Sequence, residues 1–512
     1  MRVNDVLKTI PKHTWWSEEF PCVYALLGDA LRGWVEQGKY FLPGAPSICI
    51  LLYKNDFCYE ESPTDEKNKV YDHVFQAMHK DTHYLKRRRR ASQRVIQHVH
   101  RLGKQLVLAC HAHAPAKTLW KLYNKLMPLY KDFVRYNVAL ECVDAFSSET
   151  LPRLIEEECG VDHQTALQIA MTMCSPRIVS FFEQEELMIF ETASTLSHAL
   201  GYHPHAHWKE LLAHYPDAAR IVGKLVKQFY WIGNNYKETR MLNEAYFVAR
   251  AKEIVREHSF EEIKREIKQY NTKIRRLTNA QRQHISRYRF SPNLLKHFSI
   301  ISYIAQWIDE RKRNMTEVNY YADIFCKEIA RRYHIDPWLI KYYTPSEFGR
   351  LLTSNQRTSP RLLQRRRTLS AHVIISPKKG WESEEQFFYG QDAQKIFEAI
   401  FPRNDQTAIK GHVACAPVES ITGTAQIVLD ANRQAFTPGN ILVTTMTRPE
   451  FVPLMRRAKA IITDEGGLTC HAAIVSRELG IPCIIGAKTA TKILRDGDNI
   501  TLDLHSGAIV KT

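Results

Sequence analysis

The sequence predicts a multidomain chain of mixed α and α+β class, with a mostly α-helical N-terminal region and a C-terminal β/β/α unit. Three observations predict it. Glycine is scarce and then common, with twelve in residues 1–410 and nine in residues 411–512. The early segments repeat apolar residues every three or four positions, the period of a helix packed along one face. The late segments alternate short β-branched runs with turns.

Taken in order, the apolar spacing predicts helices over Ala91 to Leu108, Ala116 to Asn137, Pro216 to Ile232, Glu238 to His258 and Phe260 to Leu277, then Leu294 to Arg313 and Met315 to Tyr333. Residues 1–350 therefore read as a helical region. The polar, Pro- or Gly-bearing breaks Thr353–Pro360, Ser376–Gly380 and Pro402–Thr407 place a hinge or linker over 351–410. The C-terminal unit occupies 411–512.

Within that unit Ala460-Ile461-Ile462-Thr463 reads as a short buried strand and Gly466-Gly467 as the turn that breaks it. Thr469 reads as an N-cap, and Cys470 through Leu479 as a helix that Gly480 ends. His471 then falls in the first helical turn as an exposed residue. Unpaired backbone N–H groups and the positive end of the helix dipole favour an anion there, by ~0.3–1 kcal/mol at an exposed site. A phosphoryl group on His471 would be stabilised where it forms. The plain alternative is a surface or capping histidine. Cys470 suggests a thiol nucleophile, but adjacent side chains on a helix point apart, which disfavours a Cys470–His471 pair.

These residues resemble a known family, the phosphohistidine swivelling or mobile domain of phosphoenolpyruvate-utilising enzymes such as phosphoenolpyruvate synthase and pyruvate phosphate dikinase. The resemblance runs through Gly439-Asn440-Ile441-Leu442-Val443, Thr447-Arg448-Pro449-Glu450, Met455 and Ala458, the segment Gly466 to Leu479, Gly480-Ile481-Pro482, and Asp496-Gly497-Asp498 with Asp503 and Gly507. It implies that His471 is the phosphoryl acceptor and that Thr469 and Arg477, with Gly466, Gly467 and Cys470, support imidazole and phosphate. ATP or phosphoenolpyruvate with Mg2+ is implied for the donor reaction. The entry to the domain departs from the family pattern, since Ala414-Cys415-Ala416-Pro417 precedes Gly423 without the usual glycine turn. A weaker resemblance over 300–370, through Trp307 to Lys312 and Tyr343 to Glu347, is to the helical connector of synthase-like relatives.

Full-length relatives pair this domain with an ATP-grasp domain or a phosphoenolpyruvate-binding barrel. Neither is recognisable here: the helical region has no glycine-rich phosphate-covering loop, and no GxxxxGKS or GxxxxGKT run occurs. The expected partners are therefore a separate ATP-grasp or phosphoenolpyruvate-binding protein and an unknown small-molecule acceptor, with no membrane and with nucleic acid disfavoured. No apolar run approaches a membrane span, and the N-terminus lacks the apolar core of a secretory signal. Eleven cysteines without a CxxC pair fit reduced thiols in a cytoplasmic protein.

Nearly all of the +16 formal charge lies before residue 411, because residues 411–512 hold ten Lys/Arg against nine Asp/Glu. Lys86 to Arg90 and the run Arg275-Arg276 through Arg287 and Arg289 are the main basic stretches. Each reads either as a polyanion or phosphate cradle or as the wet face of a helix. His203, His205 and His207, with His198 nearby, are metal ligands by type, but Pro204 argues for a loop, and no metal site is assigned. The function expected is phosphoryl relay on His471. The alternatives are a non-catalytic binding or regulatory module on the same fold and a nucleic-acid-binding protein built on the basic helices.

Overall fold

The computed structural model describes the whole chain except residues 14, 37–45, 141, 144–145, 203–204, 377–382, 402–407, 430, 432–433, 448–450, 467–469 and 512. The described residues form two sheets and a large helical array. The first sheet has the order β1-β3-β2-β4-β5, from Trp15–Pro21 (β1), Ile48–Lys54 (β2), Phe57–Pro63 (β3), Ser370–Ile375 (β4) and Glu384–Tyr389 (β5). All its pairings are antiparallel.

This sheet corrects the reading of 1–350 as helical and of 351–410 as a hinge. β2 and β4 pair from Ile48↔Ile375 to Tyr53↔Ser370, so residues 370–389 are bound into the N-terminal sheet and the helical array is inserted between its two halves. The reason it escaped periodicity is physical. In β2 and β4 successive side chains are buried on both faces, which removes the alternation that marks a half-exposed strand. The helices Pro360–Thr368 and Gln391–Ile400 complete the segment. Of the expected breaks, residues 355–359 do separate two helices, whereas 377–380 and 402–407 lie outside the described residues.

The helices otherwise follow their apolar stripes, at Tyr84–His111, Ala116–Tyr136, Pro216–Phe229, Glu244–Glu257 and Phe260–Tyr288. The segments expected as two helices, Leu294 to Arg313 and Met315 to Tyr333, form one helix, Pro292–Tyr333. Asn314 lies between them without breaking it, because its side-chain amide donates to Glu310 O at 2.8 Å inside the helix. Residues from Phe181 to Ile263 have a hydrophobic core of their own around Trp231 and Phe247. The long helix belongs instead to the main core, through Phe298, Ile304, Trp307 and Phe325.

The joint between sheet and helices is ionic. Asp56, buried in the β2–β3 turn, accepts from Arg367 Nε at 2.8 Å and from Tyr342 Oη at 3.0 Å. Glu347 takes two bonds from Arg366, at 2.6 and 3.0 Å. Buried carboxylates of this kind persist when charge-paired and hydrogen-bonded.

The second sheet has the order β6-β13-β12-β8-β9-β10-β11-β7, built from Ala408–Lys410 (β6), His412–Cys415 (β7), Ser420–Ile427 (β8), Ile441–Thr444 (β9), Ala460–Thr463 (β10), Cys483–Ile485 (β11), Asn499–Asp503 (β12) and Ala508–Lys511 (β13). Its first and last strands, β6 and β7, are separated in sequence only by Gly411, so the sheet curls around. Gly411 is required there: a Cβ would sit 2.6 Å from Ile484 Cγ2 and from Ile485 O. β8, β9, β10 and β11 run parallel to their neighbours in this series. The C-terminal unit thus combines this sheet with short helices. Its Lys492 ammonium lies over the Phe401 ring at 3.6 Å and the Tyr59 ring at 5.3 Å, which ties this unit to the first sheet.

Candidate functional site

The site forms where β10 leaves the sheet and returns through a helix to β11. Every residue of β10 is buried between its two parallel neighbours. The chain then turns at Gly466, whose φ of +112° is open to glycine and strained for other residues. A Cβ at Gly466 would also meet Cys470 Sγ at 2.6 Å. Asp464, on the way to this turn, is buried and accepts from Thr491 N at 3.2 Å. Burial raises its pKa.

The helix runs His471–Leu479, and Gly480 ends it in the left-handed region. Its N-cap is Cys470, whose Sγ accepts from Ala473 N at 3.4 Å. Thr469 and Gly467 lie outside the described residues. His471 is therefore the first helical residue, one position earlier in the helix than the sequence suggested. It is also less exposed than expected, being half-buried.

Two neighbours fix its chemistry. Thr447, buried in the loop after β9, places Oγ1 2.8 Å from His471 Nδ1. In the tautomer that carries hydrogen on Nδ1 the ring donates to this hydroxyl, and Nε2 keeps its lone pair. Burial lowers the imidazole pKa to about 4, and the Lys312 ammonium on the long helix pushes in the same direction. The ring is neutral at pH 7, the form a nucleophile requires.

Arg477 is on the same helix, and its Nη1 contacts Met171 Sδ on the helix His163–Cys174. One contact of this guanidinium is thus with the helical region. Ser476 is buried and bonds back to Ala473 O at 3.3 Å. Cys470, Cys415 and Cys483 lie near one another beside Arg477. Burial raises the Cys483 thiol beyond reach of ordinary ionisation.

Three contributors were not singled out from the sequence: Thr447, Lys312 and Met171. Thr447 belongs to the quoted run Thr447 to Glu450 and was within reach of that motif. Lys312 and Met171 are 159 and 300 residues before His471, and only the packing of the two regions brings them to it. Among the histidines weighed as metal ligands, His203 lies outside the described residues. His207 caps the helix Trp208–His214 by accepting from Lys209 N at 3.3 Å. Among the described residues no three His, Cys, Asp or Glu side chains gather as a metal site, and no helix is long and apolar enough to cross a membrane.

Comparison with known proteins places this geometry. Residues 436–507 match the family model of the PEP-utilising enzyme, mobile domain, and are such a domain. A protein of Archaeoglobus fulgidus named "Probable phosphoenolpyruvate synthase" is 63% identical over 71 residues, 14% of this chain and 9% of the relative. The phosphoenolpyruvate synthase of Pyrococcus furiosus is 39% identical over 155 residues, 27% of this chain and 19% of the relative. A Bacillus subtilis protein named "Uncharacterized phosphotransferase YvkC" is 46% identical over 120 residues, 23% of this chain and 14% of the relative. The chain thus spans less than a fifth of the length of each of these relatives.

Proposed function

We propose that this chain transfers phosphoryl groups through a phosphohistidine formed on His471. The observation that carries the reading is the pairing of His471 Nδ1 with Thr447 Oγ1 at 2.8 Å, at the start of a helix inside the matched mobile domain. When Nδ1 carries the hydrogen and donates to Thr447 Oγ1, Nε2 keeps its lone pair and is the nucleophile. The lone pair of Nε2 attacks the donor phosphorus in line, the bond from phosphorus to the leaving oxygen breaks, and that oxygen departs with the electron pair. The Nδ1 hydrogen stays with the ring and keeps its bond to Thr447. In this reading the helix N-terminal amides and the Lys312 ammonium, whose charge acts on His471, offset the negative charge of the phosphoryl group. In the second step an acceptor oxygen attacks the phosphorus and neutral imidazole leaves.

The family relationship supports phosphoryl transfer in general, and the relatives' names support phosphoenolpyruvate as a reactant; the proposed donor is phosphoenolpyruvate or ATP. Mg2+ is placed with the donor substrate in this reading, and no step is routed through it. The donor site is assigned to a second polypeptide of ATP-grasp or phosphoenolpyruvate-binding type, and the acceptor to a small molecule.

The test is to incubate the chain with 32P-labelled phosphoenolpyruvate or γ-32P-ATP, with and without extract of its own cells. Acid-labile, alkali-stable label that needs the extract and is lost in His471→Ala is the expected result. Label formed by the chain alone would move the donor site into this polypeptide. Label retained by His471→Ala would place the phosphoryl group elsewhere.

A further inference from the structure

The helix Phe260–Tyr288 has two unlike faces. Its inner face is pinned: Gln281 donates to Thr172 O at 2.9 Å and to Ser175 O at 3.1 Å and accepts from Arg177 Nε at 2.6 Å. Tyr270 bonds to Glu186, Lys273 pairs with Glu183, and Ile263 is buried. The outer face carries Lys268, Arg275, Arg276, Arg282 and Arg287, all exposed, with Arg289 exposed at the left-handed cap that follows. At 100° per residue the five helical cations fall within an arc of roughly 140° and along about 28 Å of helix.

No carboxylate occurs between residues 267 and 290. Among the described residues none of these six cations forms an ion pair, while Lys264 and Arg265 at the start of the helix pair with Glu261 and Glu262. Six like charges held on one rigid face repel one another, and a polyanion relieves that repulsion.

From this charge pattern we infer that the outer face of the helix Phe260–Tyr288 binds duplex nucleic acid through its phosphodiester backbone. The residues between the cations decide the class of partner. They are Thr272, Asn279, Gln283 and Ser286, all polar, whereas the exposed Ile274 and Ile285 stand outside the arc. A protein partner would need apolar or aromatic anchors at the centre of the patch, and none is there. A nucleic-acid surface is instead polar and strongly cationic. Single strands are disfavoured because they are held by stacking on exposed rings. Here the aromatic side chain at the end of the face, Tyr288, is half-buried, covered by the Arg287 guanidinium at 5.2 Å and stacked on His284 and Phe290. On the sequence alone this run also reads as a wet helix face; its confinement to one unpaired, acid-free stripe is what the fold adds.

The test is fluorescence anisotropy of the full chain with labelled 24-base-pair DNA and RNA duplexes and a 24-nucleotide single strand, titrated between 50 and 200 mM salt. Six phosphate contacts give a log–log salt slope of about −5 for DNA, and three fewer give about −3. The variant Arg275→Gln/Arg276→Gln/Arg282→Gln is expected to lose at least tenfold in affinity at 100 mM salt, for duplexes of any sequence. The control Lys117→Gln/Lys121→Gln/Lys125→Gln removes the same charge from another exposed helix face and is expected to change affinity less than twofold. Equal losses in both variants would reduce the effect to net charge and overturn the site. Displacement of the duplex by poly-L-glutamate at equal charge concentration would overturn the nucleic-acid assignment in favour of an acidic protein. Tighter binding of the single strand than of either duplex would overturn the choice of duplex.

Discussion

Replacing Thr447 by valine removes one oxygen from a buried position and leaves the side chain nearly isosteric. In the structure that oxygen is 2.8 Å from His471 Nδ1. A neutral hydrogen bond of this kind contributes about 1 kcal/mol net, and leaving a buried ring N–H without a partner costs about 1–3 kcal/mol. Part of that cost is avoided if the hydrogen moves to Nε2, but this removes the lone pair that attacks phosphorus. A loss of about 1.4 kcal/mol in the reactive tautomer lowers the labelling rate by about tenfold. The assay has two parts. Initial rates of phosphorylation are measured with saturating donor and partner, and the tautomer of His471 is read from its 15N shifts in the unphosphorylated chain. The expected result is a slower rate together with a shift of hydrogen from Nδ1 to Nε2. An unchanged tautomer and rate in a folded Thr447→Val chain would refute the assignment of Thr447 as the group that orients the ring.

Further outcomes follow from the same geometry. Labelling of His471 is expected to stay level from pH 8 down to about 5 and to fall only near pH 4, because burial lowers its pKa to about 4; a profile falling near pH 6.5 would mean an ordinary exposed imidazole. The same shift destabilises the fold in acid: between pH 6.5 and 4 the unfolded chain binds the proton and the folded chain does not, so stability is lost as pH falls through that window. His471→Gln is expected to remove this component in urea titrations at several pH values, and an identical pH dependence in both chains would contradict it. Lys312→Gln is expected to raise the His471 pKa in an NMR titration and Lys312→Arg to leave it low, since only the first removes the charge; no change in Lys312→Gln would separate the two groups. Gly466→Ala forces a side chain into a φ of +112° and against Cys470 Sγ, with an expected cost of about 1–3 kcal/mol and loss of label; wild-type stability and labelling would refute the tight turn.

The helix His471–Leu479 was readable from the sequence because its signals are local. An apolar β-branched run, a glycine turn and a terminal glycine fall within residues 460–480, and the structure has β10, the Gly466 turn and the helix His471–Leu479 there. The helix begins one residue later than expected, with Cys470 as its N-cap. What stayed hidden is non-local. The first sheet joins residues 48–54 to 370–375 across more than 300 positions, and its central strands lack alternation because both faces are covered. Lys312 and Met171 have no sequence mark that points to His471. Their contribution arises only from how the helical region packs against the mobile domain. The 42-residue helix Pro292–Tyr333 shows the reverse error, a break expected where a mid-helix asparagine is satisfied within the helix.

The most direct test of phosphoryl transfer through His471 needs no knowledge of the natural donor. The full chain is treated with potassium phosphoramidate, which phosphorylates accessible nucleophilic imidazoles, and 31P NMR and peptide mapping locate the product, with Thr447→Val and His471→Ala beside the wild type. One dominant phosphoryl group on Nε2 of His471, formed faster than on the exposed His205 and His207, slowed in Thr447→Val and missing from His471→Ala, is the expected result. Phosphorylation spread over the exposed histidines, with His471 unreacted in a folded chain, would contradict it.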